Sequence, residues 1–161
     1  MSRRGRERRA IHYFEKAHRL RAKGDLKGAE KHFRRSIRAY PTAEAYISLA
    51  GICSSQQRYD EAIEACQKAI LVDPELGNPY NDIGSCKIAQ ARYDEAIPWL
   101  LRAIGARRYD TQHFPYFNLG RVYYHKQMYS KAIEYFEKSL EIDPGYRLAE
   151  EAIEELRRKV N

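Results

Sequence analysis

Four alanines, Ala29, Ala62, Ala96 and Ala132, recur at intervals of 33, 34 and 36 residues. This spacing constrains the fold more than any other feature of the chain. Ala62 sits in Tyr59-Asp60-Glu61-Ala62-Ile63 and Ala96 in Tyr93-Asp94-Glu95-Ala96-Ile97. Tyr129-Ser130-Lys131-Ala132-Ile133 and Leu26-Lys27-Gly28-Ala29-Glu30 are more divergent versions of the same segment. A period near 34 residues marks a chain built from small units that each bury an apolar face against a neighbour. Such a stack presents an extended surface, so the period points to binding before any reactive residue is considered.

Within each copy the apolar places fall at helical spacing, as in Tyr46, Leu49, Ala50 and Cys53, then Ala62, Ile63, Cys66, Ala69 and Ile70. Each copy is therefore expected to be two short amphipathic helices. Ala17, Ala50, Gly84 and Gly120 on the first helices, and the four alanines on the second, mark places of close helix approach. Asp60, Asp94 and Ser130 lie where a side-chain oxygen can cap free amides. Pro74 and Pro144 close second helices, Pro79 and Pro115 open first helices, and Pro98 is expected in a tolerant first turn.

The fourth copy reads Tyr116-x2-Leu119-Gly120-x2-Tyr123, then Ala132-x3-Phe136, then Pro144. It resembles the tetratricopeptide repeat, with Tyr116 in place of the tryptophan of that pattern. The other copies carry Tyr13, Ala17, Ala29, Phe33 and Pro41; Tyr46, Leu49, Ala50, Ala62, Cys66 and Pro74; and Tyr80, Ile83, Gly84, Ala96 and Leu100. The resemblance implies an all-α fold, a right-handed α-solenoid of antiparallel helix pairs. It implies repeats at 10–42, 43–76, 77–112 and 113–146, preceded by a basic segment at 1–9 and followed by a capping helix at 147–161. In that cap, Leu148, Ala149, Ala152, Ile153 and Leu156 form one apolar stripe. The lengthened loop 105–112 replaces the usual proline turn after copy three and reads as an insertion.

Composition narrows the functional classes. Charged residues make up 32 % of the chain and hydrophobic ones 43 %, as in a folded domain. No apolar run reaches the ~18 residues of a membrane span. The Arg-rich start lacks the apolar core of a secretory signal. Cys53, Cys66 and Cys86 have no metal-type spacing and read as buried thiols of a cytoplasmic protein. The net charge of +7 is uneven: residues 1–42 hold 14 Lys/Arg and 4 Asp/Glu, a balance of +10, and the remainder balances at −3.

Motifs for nucleotide binding, nucleophilic hydrolysis and metalloprotease chemistry are absent. The five histidines form no ligand set, and we expect them on helix surfaces. The expectation is a non-enzymatic protein with no cofactor and no metal. The family resemblance implies instead a protein-interaction scaffold or adaptor, in which the first helices line a concave groove for a partner's peptide segment or helix. The matching residues are Phe14, His18 and Arg21; Ile47, Ser48 and Ser54; Asn78, Asn81, Asp82 and Ser85; and Phe114, Phe117, Asn118, Arg121, Tyr124 and His125. The carboxylate clamp of chaperone-docking members is not among them, because the corresponding places lack its basic residues and Asp82 would repel a carboxylate. The alternative is nucleic acid or an acidic partner held by a basic patch of Arg3, Arg4, Arg6, Arg8, Arg9, Arg34 and Arg35.

Overall fold

The computed structural model describes residues 2–160 and is all-α, with nine helices among the described residues. They gather in two compact units, one ending at Pro74 and one beginning at Glu75. The first unit holds α1 (Arg3–Ala22), α2 (Leu26–Ala39), α3 (Ala43–Ser55) and α4 (Tyr59–Val72). The second holds α5 (Asn78–Ala89), α6 (Tyr93–Ile104), α7 (His113–His125), α8 (Tyr129–Ile142) and α9 (Arg147–Val160). The helices α1/α2, α3/α4, α5/α6 and α7/α8 form four hairpins, one for each sequence copy. Residues 3–9 are helical and continue α1 without a break, about two turns ahead of the first repeat.

All four recurring alanines are buried, none more than 1 % exposed. The small residues of the first helices have a more specific role than general close approach. A Cβ built on Gly120 would lie 2.5 Å from the ring of Phe136, and one on Gly84 would strike the Leu100 side chain. Each glycine is thus the seat for the bulky residue four places after the alanine. Ser36 and Ser139, buried on α2 and α8, donate hydrogen bonds of 2.9 Å to the carbonyls of Ala10 and His113. In these two hairpins they tie the last turns of the second helix to its partner, at the start of α7 and within α1.

The hairpin turns repeat as faithfully as the core. Gly24, Gln57, Ala91 and Gln127 all have left-handed φ, between 57° and 81°. The next amide in each turn bonds back to a helix carbonyl, from Asp25 to Leu20, Arg58 to Cys53, Arg92 to Lys87 and Met128 to Tyr123. This is a helix-ending turn that usually selects glycine, and only the first copy has one. The capping expectation fails here. Asp25 caps α2 through Gly28, but α4, α6 and α8 start one residue before Asp60, Asp94 and Ser130 and have no side-chain cap. Asp60 and Asp94 lie inside the first turn, where their charge favours the helix dipole.

Three further expectations change. Pro98 lies in the second turn of α6, not the first; the helix continues through it, and the carbonyl it leaves unbonded belongs to exposed Asp94. Leu148 is 55 % exposed, so the α9 stripe that packs is Ala149, Ile153 and Leu156, with Ala152 partly buried beside them. The loop 105–112 is not a loose insertion. The Gly77 amide donates to the Arg108 carbonyl at 2.9 Å, the Arg108 amide donates to Glu75, and Tyr109 is buried beside Gly77.

Candidate functional site

In the second unit, α5 and α7 bring the expected groove residues together. Their centre is a polar chain: Asn118 Nδ2 donates to Asn81 Oδ1 at 2.9 Å, and Arg121 Nη1 donates to Asn118 Oδ1 at 3.1 Å. Asn81 and Asn118 are nearly buried, so their amides hold the two helices in register and position Arg121. Asp82, one residue after Asn81, is half-buried, and no cation among the described residues pairs with it. Burial pushes its carboxyl up to about 6, opposed by a hydrogen bond with Asn81. Its neighbour Tyr109 has its phenol pushed up as well, first by burial. Asn78 and Ser85 are half-buried on the same helix.

Beside this polar centre lies an aromatic group. Phe117 packs on Phe136 at 5.3 Å and edge-on to Tyr146 at 5.1 Å, and Phe114 meets Tyr146 at 5.7 Å. Tyr146 comes from the turn before α9 at the end of copy four, and the sequence reading misses it because it expects groove residues on the first helices. The other two aromatic positions are committed internally. Tyr124 Oη accepts from Lys159 Nζ at 2.8 Å and donates to Glu155 at 3.4 Å, and His125 stacks on Tyr93 at 4.7 Å. The surface left for a ligand is therefore exposed Phe114, with Arg121, Phe117 and Asp82 partly accessible.

In the first unit, Phe14, His18 and Phe33 form an edge-to-face triad with centroids 4.5–5.7 Å apart. Desolvation and then the charge of Arg21 lower the His18 pKa, which favours the neutral ring. Arg21 is exposed, and Ile47, Ser48 and Ser54 are half-buried. His32 departs from the expected surface position: it is 9 % exposed and its Nδ1 lies 2.8 Å from the Gly28 carbonyl.

The basic patch separates into two kinds of arginine. Arg3 is paired with Glu7 at 2.9 Å, and Arg34 with Glu30 at 2.8 Å. Arg4 and Arg8 are exposed, whereas Arg6, Arg9 and Arg35 converge, with Arg38, on a cleft between α1 and α2. A separate cluster joins Glu30, Cys53 and Glu61, whose ligand atoms lie within 4.8 Å of one another. It does not suit a metal ion. Arg58 reaches Glu30 at 2.8 Å and Glu61 at 2.6 Å, supplying the positive charge itself. Burial also pushes the Cys53 thiol up, against the thiolate a metal would need. Glu30, bonded by Arg58 and Arg34, is lowered to about 2.

Comparison with known proteins now decides the family. Tetratricopeptide repeat profiles match residues 14–76 and 75–144. This chain is a tetratricopeptide-repeat protein. The type IV pilus assembly protein PilF of Pseudomonas aeruginosa is 30 % identical over 122 residues, covering 75 % of this chain and 48 % of that protein. The small glutamine-rich tetratricopeptide repeat-containing protein 2 of Saccharomyces cerevisiae is 32 % identical over 90 residues, 51 % of this chain and 26 % of that one. The chain thus spans about half or less of the curated relatives it matches. The solved structure of Pseudomonas aeruginosa pilF aligns with a TM-score of 0.86 and 26 % identity over 96 % of this chain and 70 % of that one. A MamA crystal structure aligns at 0.75 with 28 % identity over 89 % and 83 %. Tetratricopeptide-repeat proteins mediate protein–protein interactions, and the family is generally non-enzymatic. No described helix of this member is long and apolar enough to cross a membrane.

Proposed function

We propose that this tetratricopeptide-repeat protein is an interaction scaffold or adaptor that holds a peptide segment or helix of a partner on its first-helix face, without catalysing a reaction. The observation that carries the reading is the Asn81, Asn118 and Arg121 chain, which holds a guanidinium near the Tyr146 phenol, whose ring packs on Phe114 and Phe117. A fixed donor next to aromatic surface is what anchors one polar and one apolar group of a peptide. The relatives' names, pilus assembly among them, do not converge on one partner, so the ligand has to be sought on the surface. A cytoplasmic location belongs to the same proposal and is supported by three buried cysteines that are outside any disulfide among the described residues.

The test is peptide display selected on the immobilised protein, followed by Phe114→Ala with Arg121→Ala. Peptides selected on the native protein should bind the folded double variant about tenfold or more weakly. Selection of no peptide, or equal binding to the variant, refutes the reading.

A further inference from the structure

The cleft between α1 and α2 differs in chemistry from the face built by α5 and α7. It measures about 510 Å³ and is lined by Arg6, Arg9, Tyr13, Arg35, Arg38 and Ala39. Arg6, Arg9 and Tyr13 follow one another at helical spacing on α1, and Arg35 and Arg38 do so on α2, so both helices turn a basic face to one space. Arg9 Nη2 donates to the Tyr13 hydroxyl at 3.5 Å, and the guanidinium carbons of Arg9 and Arg35 each lie 5.8 Å from the Tyr13 ring centre. The Tyr13 phenol is lowered, first by the hydrogen bond from Arg9 and then by its charge, as a concentrated positive field requires.

Several arginines of the chain are neutralised locally. Arg3, Arg34, Arg58, Arg92, Arg107, Arg147, Arg157 and Arg158 each have a carboxylate within 3.6 Å. The four arginines of this cleft have no such partner among the described residues. Holding like charges together around one ring costs free energy that local carboxylates do not offset, and a bound anion would offset it. Guanidinium forks match carboxylates and phosphates in pairs.

We propose that this cleft binds a run of clustered Asp and Glu side chains on a partner protein. Two observations favour acidic peptide over nucleic acid. The Tyr13 ring is already engaged by Arg9, Arg35, His12 and His32, which leaves no open aromatic face on which a base can stack. The neighbouring cleft on the Ile11 and Phe14 side of α1 is apolar, so the positive surface does not run on across α1 as a long phosphate backbone needs. The positive field is local, sized for a few carboxylates and not for a long polyanion.

The experiment measures anisotropy of a fluorescein-labelled decaglutamate peptide with the full chain at 50 mM salt. A labelled oligothymidylate of equal charge is the competing probe. Arg35→Gln with Arg38→Gln should weaken decaglutamate binding about tenfold or more. Arg4→Gln with Arg8→Gln, which removes the same charge from α1 outside the cleft, should change it less than about threefold. If the α2 double variant fails to fold, Arg6→Gln with Arg9→Gln is the equivalent on α1. Equal losses in the cleft and control variants would overturn the site, as would no binding by the native protein at millimolar peptide. Tighter binding of oligothymidylate than decaglutamate would overturn the assignment of an acidic peptide. The cleft variants should leave peptides selected through Phe114 and Arg121 bound as before, so the two readings fail separately.

Discussion

Replacing Asp82 by asparagine should stabilise the protein, and only above a definite pH. In the folded chain burial raises this carboxyl from the ordinary 3.8 to about 6. The native state therefore binds the proton more tightly than the unfolded chain does. Its stabilisation is complete below pH 3.8, is lost as pH rises to about 6, and stays lost above that. Each tenfold change in proton affinity is worth ~1.4 kcal/mol, so the ionised form costs about 3 kcal/mol at neutral pH. The amide has nearly the same shape and no charge to desolvate. The expected outcome is an Asp82→Asn protein matching the native one at pH 3 and more stable by about 2–3 kcal/mol at pH 7. In a chain of this length that is roughly 4–12 °C in Tm. Melts of both proteins followed by circular dichroism at half-unit steps from pH 3 to pH 8 measure the difference, and other titrating groups cancel in it. A constant gain across that range would mean that packing, not charge, is responsible. A loss at pH 7 would show that the carboxylate is stabilised by a partner and would refute the reasoning.

Gly120→Ala and Gly51→Ala should move stability in opposite directions, although both sit inside first helices. A Cβ at Gly120 strikes Phe136, at an overpacking cost of ~1–3 kcal/mol, whereas one at Gly51 meets nothing within 4 Å and gains up to ~1 kcal/mol of helix propensity; urea midpoints of the two variants check this. Arg58→Ala should cost about 2 kcal/mol at pH 7, because it leaves the Glu30 carboxylate with only Arg34. The depressed Glu30 carboxyl contributes stability above pH 4.5 that is lost as pH falls towards 2. Acid unfolding of Arg58→Ala should therefore begin at higher pH than in the native protein, and an unchanged acid midpoint would contradict it.

The period of the alanines determined the secondary structure, the number of hairpins and most of the core. Those follow from side-chain size at helical spacing, which is local information. The sequence also carried the glycine and aromatic places of α7 and the uneven charge. It did not reveal that Gln57, Ala91 and Gln127 take the left-handed turn that Gly24 takes, because the hairpin geometry imposes that conformation whatever the residue. It placed Asn81 and Asn118 on one face but could not show that they bond each other, or that Tyr124 is bound by Lys159 of α9. Nor could it separate Arg3 and Arg34, which are paired, from Arg6, Arg9, Arg35 and Arg38, which are not. Which charges neutralise one another depends on distances between helices far apart in the chain. Only the tertiary structure sets those distances, and with them the places where a ligand can still bind.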